Sequence, residues 1–354
     1  MVDKDKSISS GVKEAKTELA RRAAELQLRK NPDLEERYGN KGRQKCIDDA
    51  INHLNYLVEA IRVGNINLFT NYLKWADIML HERGIPANDL ITNIKMLQEA
   101  AQENLPSEIS SVTERYINSG IETLKSNERT TESFILSDNP LQKEAEQYLS
   151  NLLKGQRDKA AAIIDKLIEN QISVADIYEY IFQVTLQEVG RLWQTNRISV
   201  AHEHYCTAAT QLIMSRLYPH IFSTEKKGVH LVACSVGGEL HEMGIRMVSD
   251  FFEMDGWHTY YLGANMPDDD IIQALFENNA DLIAISVTLS MHVGRAEELI
   301  QKIRAKEELK KVKIMVGGYP FSIVPDLWQT IGADATAKSA KEAVAIANNM
   351  VHKR

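Results

Sequence analysis

The sequence predicts a multidomain chain: an all-α N-terminal region, a second helical segment, and a C-terminal α/β segment built on a doubly wound parallel sheet. Three observations predict it. Apolar residues recur at helical spacing early in the chain, as in Ile47, Ala50, Ile51, Leu54, Leu57, Val58 and Ile61. The polar run Ser126-Asn127-Glu128-Arg129-Thr130-Thr131-Glu132-Ser133 then interrupts that pattern as a linker. Beyond residue 228, strand-length apolar runs alternate with helical stretches, the pattern of parallel strands joined by crossover helices.

From the N-terminus, helices are expected near 11–37, 43–63, 65–83, 86–104 and 107–125, with stops at Gly64 and at Gly84-Ile85-Pro86. Helix returns between about 139 and 224, and Glu225-Lys226-Lys227-Gly228 forms a hinge. Strands are expected at 229–236, 257–263, 281–288, 312–317 and 335–338, with Pro267 near one helix start and Ser339 capping the last helix. The domains are thus 1–126, 139–224 and 228–354, a division that suits 354 residues.

Composition narrows the function classes. Charged residues at 25% and hydrophobic ones at 44% give an ordinary globular balance. A net charge of −8, with no basic patch placed as a reading head, argues against nucleic acid as the main partner. The longest apolar runs are strand-length, so no membrane span is expected. The polar start Met1-Val2-Asp3-Lys4-Asp5-Lys6 is not a signal peptide, and Cys46, Cys206 and Cys234 are too scattered for a disulfide framework. Cytoplasm is the expected location.

The most informative fragment is Gly237-Gly238-Glu239-Leu240-His241-Glu242-Met243-Gly244, between an apolar run and a helix. A neutral imidazole there can ligate a metal while a neighbouring carboxylate fixes its tautomer. Forty-one residues separate Gly244 from Ser286-Val287-Thr288, and twenty-eight more lead to Gly317-Gly318. All three motifs follow or end expected strands, where ligands of such sheets bind. The acidic run Asp268-Asp269-Asp270 fits the first turn of a helix better than a metal site.

This triplet and its spacing resemble the cobalamin-binding domain of corrinoid enzymes and sensors. The resemblance implies that His241 replaces the dimethylbenzimidazole tail as lower cobalt ligand, the metal ligand of the chain. It implies that Glu239 stands where the family usually has Asp, and that Gly244 completes the motif. Ser286 and Thr288 would line the slot for the freed tail, and Gly317 and Gly318 would let it pass close to the backbone, where a Cβ would collide.

Upstream, Trp193, nine residues and then Glu203-His204 resemble the light sensors of the CarH class. That resemblance implies a four-helix-bundle cap over the corrin, with Trp193, Glu203 and His204 around the adenosyl group of adenosylcobalamin. An indole packs against adenosine, and a carboxylate accepts from ribose or adenine. Light would break the cobalt–carbon bond and change domain or oligomer arrangement, so light-dependent self-association and an unnamed output protein are the implied partners. In the repressors of that class a histidine close to the tryptophan captures cobalt, whereas Gln194 follows Trp193 here. His202, His204 or water would then take that place.

In the first region, Glu36-Arg37-Tyr38-Gly39-Asn40-Lys41-Gly42-Arg43, Cys46-Ile47-Asp48-Asp49 and His53-Leu54-Asn55-Tyr56-Leu57 resemble the N-terminal domain of photocobilins. The resemblance implies a globin-like fold and a second chromophore, biliverdin. Cys46, Ala50, His53, Leu57 and Ala60 share one helical stripe, so His53 is expected to point inward. A satisfied core histidine is the bland alternative to a chromophore contact. Tyr56, Tyr72, Trp75 and His81 are further candidates for pocket walls.

The function expected from these resemblances is that of a light sensor, not an enzyme. One alternative is a corrinoid protein that carries methyl groups for a methyltransferase; it shares His241 and the slot but does not require Trp193 with Glu203-His204. Another is a globin-like stress regulator that works without light.

Overall fold

The computed structural model describes residues Val2–Val351. The chain divides into two compact units. One holds the N-terminal residues through Thr130, together with Leu289–Gly294 and Tyr319–Thr330. The other holds Thr131–Thr288, Arg295–Gly318 and the chain from Ile331 onward.

The N-terminal unit contains α1 (Val2–Lys30), α2 (Asp33–Tyr38), α3 (Gly42–Arg62), α4 (Ile66–His81), α5 (Ala87–Asn104) and α6 (Ser107–Ser126). The helix expected at 11–37 starts earlier and is broken. Ile8 and Val12 are buried, so the apolar face runs further toward the N-terminus than the charged residues around it suggest. The break falls at Asn31-Pro32, because the residue before a proline avoids the helical region and Pro32 becomes the cap of α2. Helices α3 and α4 end where Gly64 and Gly84 take positive φ, 68° and 77°. Leu54, Leu57, Ile61, Leu68, Phe69, Leu73 and Ile94 form the core, each nearly or fully buried.

The second unit joins the middle helices to the sheet. The helices are α7 (Gln142–Leu153), α8 (Arg157–Glu169), α9 (Val174–Ile177), α10 (Val184–Gln194), α11 (Val200–Ser215) and α12 (Tyr218–Ile221). A π-helical turn, Tyr178–Gln183, links α9 to α10. Tyr148, Tyr178, Phe182, Ile213 and Met214 make their core, and Met247 of the following segment enters the same cluster.

The sheet strands are β1 (His230–Val236), β2 (His258–Met266), β3 (Leu282–Ser286), β4 (Lys313–Gly317) and β5 (Ala335–Thr336). Between them lie α13 (Met243–Met254), α14 (Asp268–Glu277), α15 (Val293–Arg304), α16 (Tyr319–Ile323) and α17 (Leu327–Thr330), and α18 (Ala340–Met350) follows β5. The spatial order is β2-β1-β3-β4-β5, all parallel. That order puts the topological switch point between β1 and β3. β5 is shorter than expected because the chain turns early to let the Ser339 side chain cap α18 at Glu342 N–H. Among the described residues no helix is long and apolar enough to cross a membrane, and all three cysteines are free and buried.

Candidate functional site

The site is assembled where β1 and β3 diverge. The turn after β1 buries Glu239 completely. Its Oε1 accepts from the His241 backbone N–H at 3.1 Å and from the imidazole Nδ1 at 2.5 Å. Its Oε2 accepts from the Thr288 backbone N–H, just past β3, at 2.9 Å. A buried carboxylate is tolerable only when its lone pairs are used, and these three donors use them. The His241 ring is 56% exposed. With Nδ1 donating to Glu239, its lone pair lies on Nε2, the nitrogen free for a ligand. The Glu239 hydrogen bond holds the His241 pKa above the usual imidazole value, and the Glu203 carboxylate adds to the same effect.

Strand register brings the distant motifs together. Ser235 of β1 pairs with Ser286 of β3, and Ser286 pairs with Gly317 of β4, so one row crosses three carboxyl ends. Thr288 takes part through its backbone N–H, a role its side-chain identity did not announce. The two glycines differ. At Gly318, φ is +116° and a Cβ would lie 1.9 Å from the Val287 carbonyl oxygen, so the protein's own backbone demands glycine. A Cβ on Gly317 would meet only Ala337 O at 3.8 Å, and one on Gly244 would meet nothing within 4 Å. No neighbour in the chain excludes a side chain at these two, so both leave room at the mouth of the site.

Sequence reasoning missed two supports. The Ser235 hydroxyl donates to the His241 carbonyl at 3.1 Å. Glu242, next in the chain, accepts from Gln211 Nε2 of α11 at 2.6 Å and from the Tyr261 hydroxyl of β2 at 3.3 Å. Further along α13, Arg246 donates to Ser215 and Tyr218, both at 3.0 Å, and Tyr178 OH donates to Asp250 at 2.8 Å. The spacing of Glu242, Arg246 and Asp250, four residues apart each time, was the available signal for one helix face turned to the middle helices. Burial pushes the Asp250 carboxyl up to about 6.

Trp193 lies in the last turn of α10 and is half-buried; Gln194 beside it is buried. Glu203 lies in the first turn of α11, accepts from the Thr207 hydroxyl at 3.1 Å and pairs with His204 at 3.0 Å. Glu203 is the member of this group whose charge reaches His241, while the His204 side chain is 77% exposed. His202 is exposed and hydrogen-bonds Ser199 at 2.8 Å. The acidic run 268–270 occupies the first turn of α14, as expected, and Asp268 pairs with Lys302 at 2.7 Å.

In the N-terminal unit, Cys46, Ala50, His53, Leu57 and Ala60 are all buried, as the stripe required. His53 Nδ1 lies 2.8 Å from the Tyr72 hydroxyl, and Tyr72 stacks on Tyr56 at 3.6 Å between centroids. Burial lowers the His53 pKa to about 4, so the ring is neutral. Trp75 and His81 are exposed. The Tyr38 and Asn40 side chains lie outside the described residues.

Comparison with known proteins addresses the second unit. Residues 229–347 match the family model described as B12 binding domain, and residues 144–218 match a second model of the same description. The chain is 27% identical over 200 residues to Dimethylamine corrinoid protein 2 of Methanosarcina acetivorans, which covers 55% of this chain and 90% of that protein. It is 27% identical over 204 residues to the Dimethylamine corrinoid protein of Methanosarcina barkeri, 56% of this chain and 93% of that one. The solved monomethylamine corrinoid protein of Methanosarcina barkeri superposes with a TM-score of 0.52 at 21% identity, covering 60% of this chain and all of that one, a likeness of fold. These matches support cobalamin binding. They name corrinoid proteins rather than photoreceptors, and so favour the carrier alternative over the light sensor.

Proposed function

We propose that this chain is a corrinoid carrier protein that holds cobalamin between its middle helices and its sheet, with His241 as lower cobalt ligand. One observation carries the reading: a fully buried Glu239 fixes His241 Nδ1 and ties it to the end of β3, leaving Nε2 free beside the switch point. When bound, the corrin supplies a cobalt–carbon bond able to hand on its upper group. The residues of the chain do the rest. Glu239 holds a proton on Nδ1 and orients the ring, so that Nε2 is the nitrogen turned to a ligand, and Ser286 and Thr288 with Gly317 and Gly318 border the slot for the cofactor's tail. Gly244 and Gly317 leave the space that a passing ligand needs. The dimethylamine corrinoid relatives support a corrinoid role tied to a methylated amine; in this reading a methyl group is the cargo and a methyltransferase the partner. In this reading the chain itself is not the enzyme.

A second reading has its own support. Trp193 and Glu203 stand at the ends of α10 and α11, and Glu203 is close enough to act on His241. An indole with a carboxylate acceptor suits an adenosyl upper ligand, and hence a light-responsive sensor in which the middle helices are the four-helix cap. The neutral His53 with Tyr56 and Tyr72 would then belong to a globin-like biliverdin domain.

The test uses the full chain loaded with methylcobalamin or adenosylcobalamin in the dark. His241→Ala is expected to abolish the spectrum of histidine-ligated, base-off cobalamin and to weaken binding about a hundredfold. An unchanged spectrum refutes the ligand role. Methyl transfer to a thiol in the presence of a methyltransferase, with no change of size under illumination, supports the carrier. Photolysis with a change of size, and no transfer, replaces it with the sensor.

A further inference from the structure

The loop that carries His241 is also gripped from β2, a strand that carries none of the three motifs. β2 leaves regular pairing with β1 twice near its end: Ala233 pairs with Tyr261, Cys234 with Gly263, and Val236 with Met266. Each shift places an extra residue on β2, and such bulges re-aim side chains beside functional sites. At the second shift Ala264 and Asn265 stand opposite Ser235 alone. Asn265 has φ +54°, the left-handed region that asparagine tolerates better than other residues bearing a Cβ.

In that conformation Asn265 makes two bonds to the loop. Its Oδ1 accepts from the Gly238 N–H at 2.7 Å, and its own N–H donates to the Glu239 carbonyl at 2.9 Å. The chain is thereby held at the residue before Glu239 and at the Glu239 carbonyl. The carboxylate between these two grips is the one that reaches both Thr288 N–H and His241 Nδ1.

We infer that Asn265 is the positioning residue of the His241 site: a left-handed clamp that aims the Glu239 carboxylate, and through it the imidazole. The inference rests on the reading of His241 as cobalt ligand. Three substitutions separate its parts. Asn265→Ala removes the carboxamide and strains the backbone. Asn265→Gly keeps the left-handed backbone and the N–H bond but loses the carboxamide. Asn265→Asp keeps an acceptor and the tolerance for positive φ.

The first measurement needs no cofactor. Amide exchange at Thr288 reads the Glu239 bond, and Thr288 lies on the far side of that carboxylate from Asn265. Asn265→Ala is expected to speed exchange at Gly238 and Thr288 about tenfold, Asn265→Gly to give a smaller increase, and Asn265→Asp to restore most of the protection. Unchanged exchange at Thr288 in both the Ala and Gly variants overturns the clamp.

The second measurement loads cob(II)alamin into protein labelled uniformly with the heavy nitrogen isotope. A doublet in the cobalt resonance then reports a protein nitrogen, and a triplet reports the cofactor's own base. Wild type is expected to give the doublet, and Asn265→Ala to lose most of it, with recovery in Asn265→Asp. A full doublet in Asn265→Ala overturns the positioning role. A triplet in wild type removes the cobalt-ligand reading instead, and the exchange result still decides the clamp.

Discussion

His53 and His241 each have one ring nitrogen fixed by a neighbour, yet their surroundings set them to opposite uses. His53 lies 3% exposed among apolar residues of α3, hydrogen-bonded to a tyrosine, with its pKa lowered to about 4. His241 is more than half exposed, bonded to a buried carboxylate, with its pKa raised. The first ring is held neutral by exclusion of water, the second is held in place by a charge while one nitrogen stays open. A histidine on an apolar stripe thus reports packing, whereas one beside a buried carboxylate at a strand end has one nitrogen fixed and the other turned outward.

The largest test of this contrast lies at Gly318. Its φ and the Val287 carbonyl leave no room for a Cβ, so Gly318→Ala is expected to destabilise the second unit by about 4 kcal/mol and to spoil the row Ser235–Ser286–Gly317. Gly317→Ala, with its nearest neighbour at 3.8 Å, is expected to leave stability within about 0.5 kcal/mol while weakening cobalamin binding. Thermal unfolding and equilibrium dialysis of both variants check this. Equal stability losses would show that Gly317 too serves the fold rather than the ligand.

These two glycines also show how far the sequence could be read. The letters Gly317-Gly318 marked the place, but which one the fold itself requires depends on the Val287 carbonyl just past β3, visible only once β3 and β4 pair. The same holds for Thr288, whose backbone N–H does the work and has no letter of its own. Glu239, His241 and their strand end were legible because the turn is local. Asp250 and Tyr178 were not, since their bond joins residues 72 apart. The sequence pattern starts helix α1 late because charged residues dilute its first turns, and carries it past Asn31-Pro32 because the periodicity on either side outweighs that break. The inward direction of His53 followed from its stripe, while its partner Tyr72 sits on a different helix.

The N-terminal side of the contrast is tested by the titration of His53. His53 has a folded pKa near 4 against an ordinary value of 6.5. A depressed pKa means that the unfolded chain binds the proton first. The contribution of the neutral ring is therefore present above pH 6.5 and is lost as pH falls toward 4, about 3 kcal/mol in all. His53→Gln is expected to flatten that part of the stability-against-pH curve, read by denaturant unfolding of the full chain followed at an N-terminal probe. An unaltered slope would show that His53 is charged or solvated in the fold, which would undo its contrast with His241.

The smallest effect concerns the seam between α13 and the middle helices, where the sheet half contains its own buried titrating group. Asp250 has its carboxyl raised from 3.8 to about 6, chiefly by burial, with the Tyr178 hydroxyl and Arg246 opposing the shift and Glu253 adding to it. A raised acid gives the reverse sign to His53: the folded state binds the extra proton. Its contribution is fully present below pH 3.8 and is lost as pH rises through 6. Above that, an ionised carboxylate sits in the seam at a net cost. Asp250→Asn keeps an acceptor for Tyr178 and removes the charge, so the variant is expected to be more stable than wild type by about 1–2 kcal/mol at pH 8 and to match it near pH 4. Parallel melting curves across that range decide it. A variant less stable at pH 8 would mean that the Arg246–Asp250 attraction outweighs desolvation, and that the seam, like Glu239 at His241, uses a buried charge to hold its partners in place.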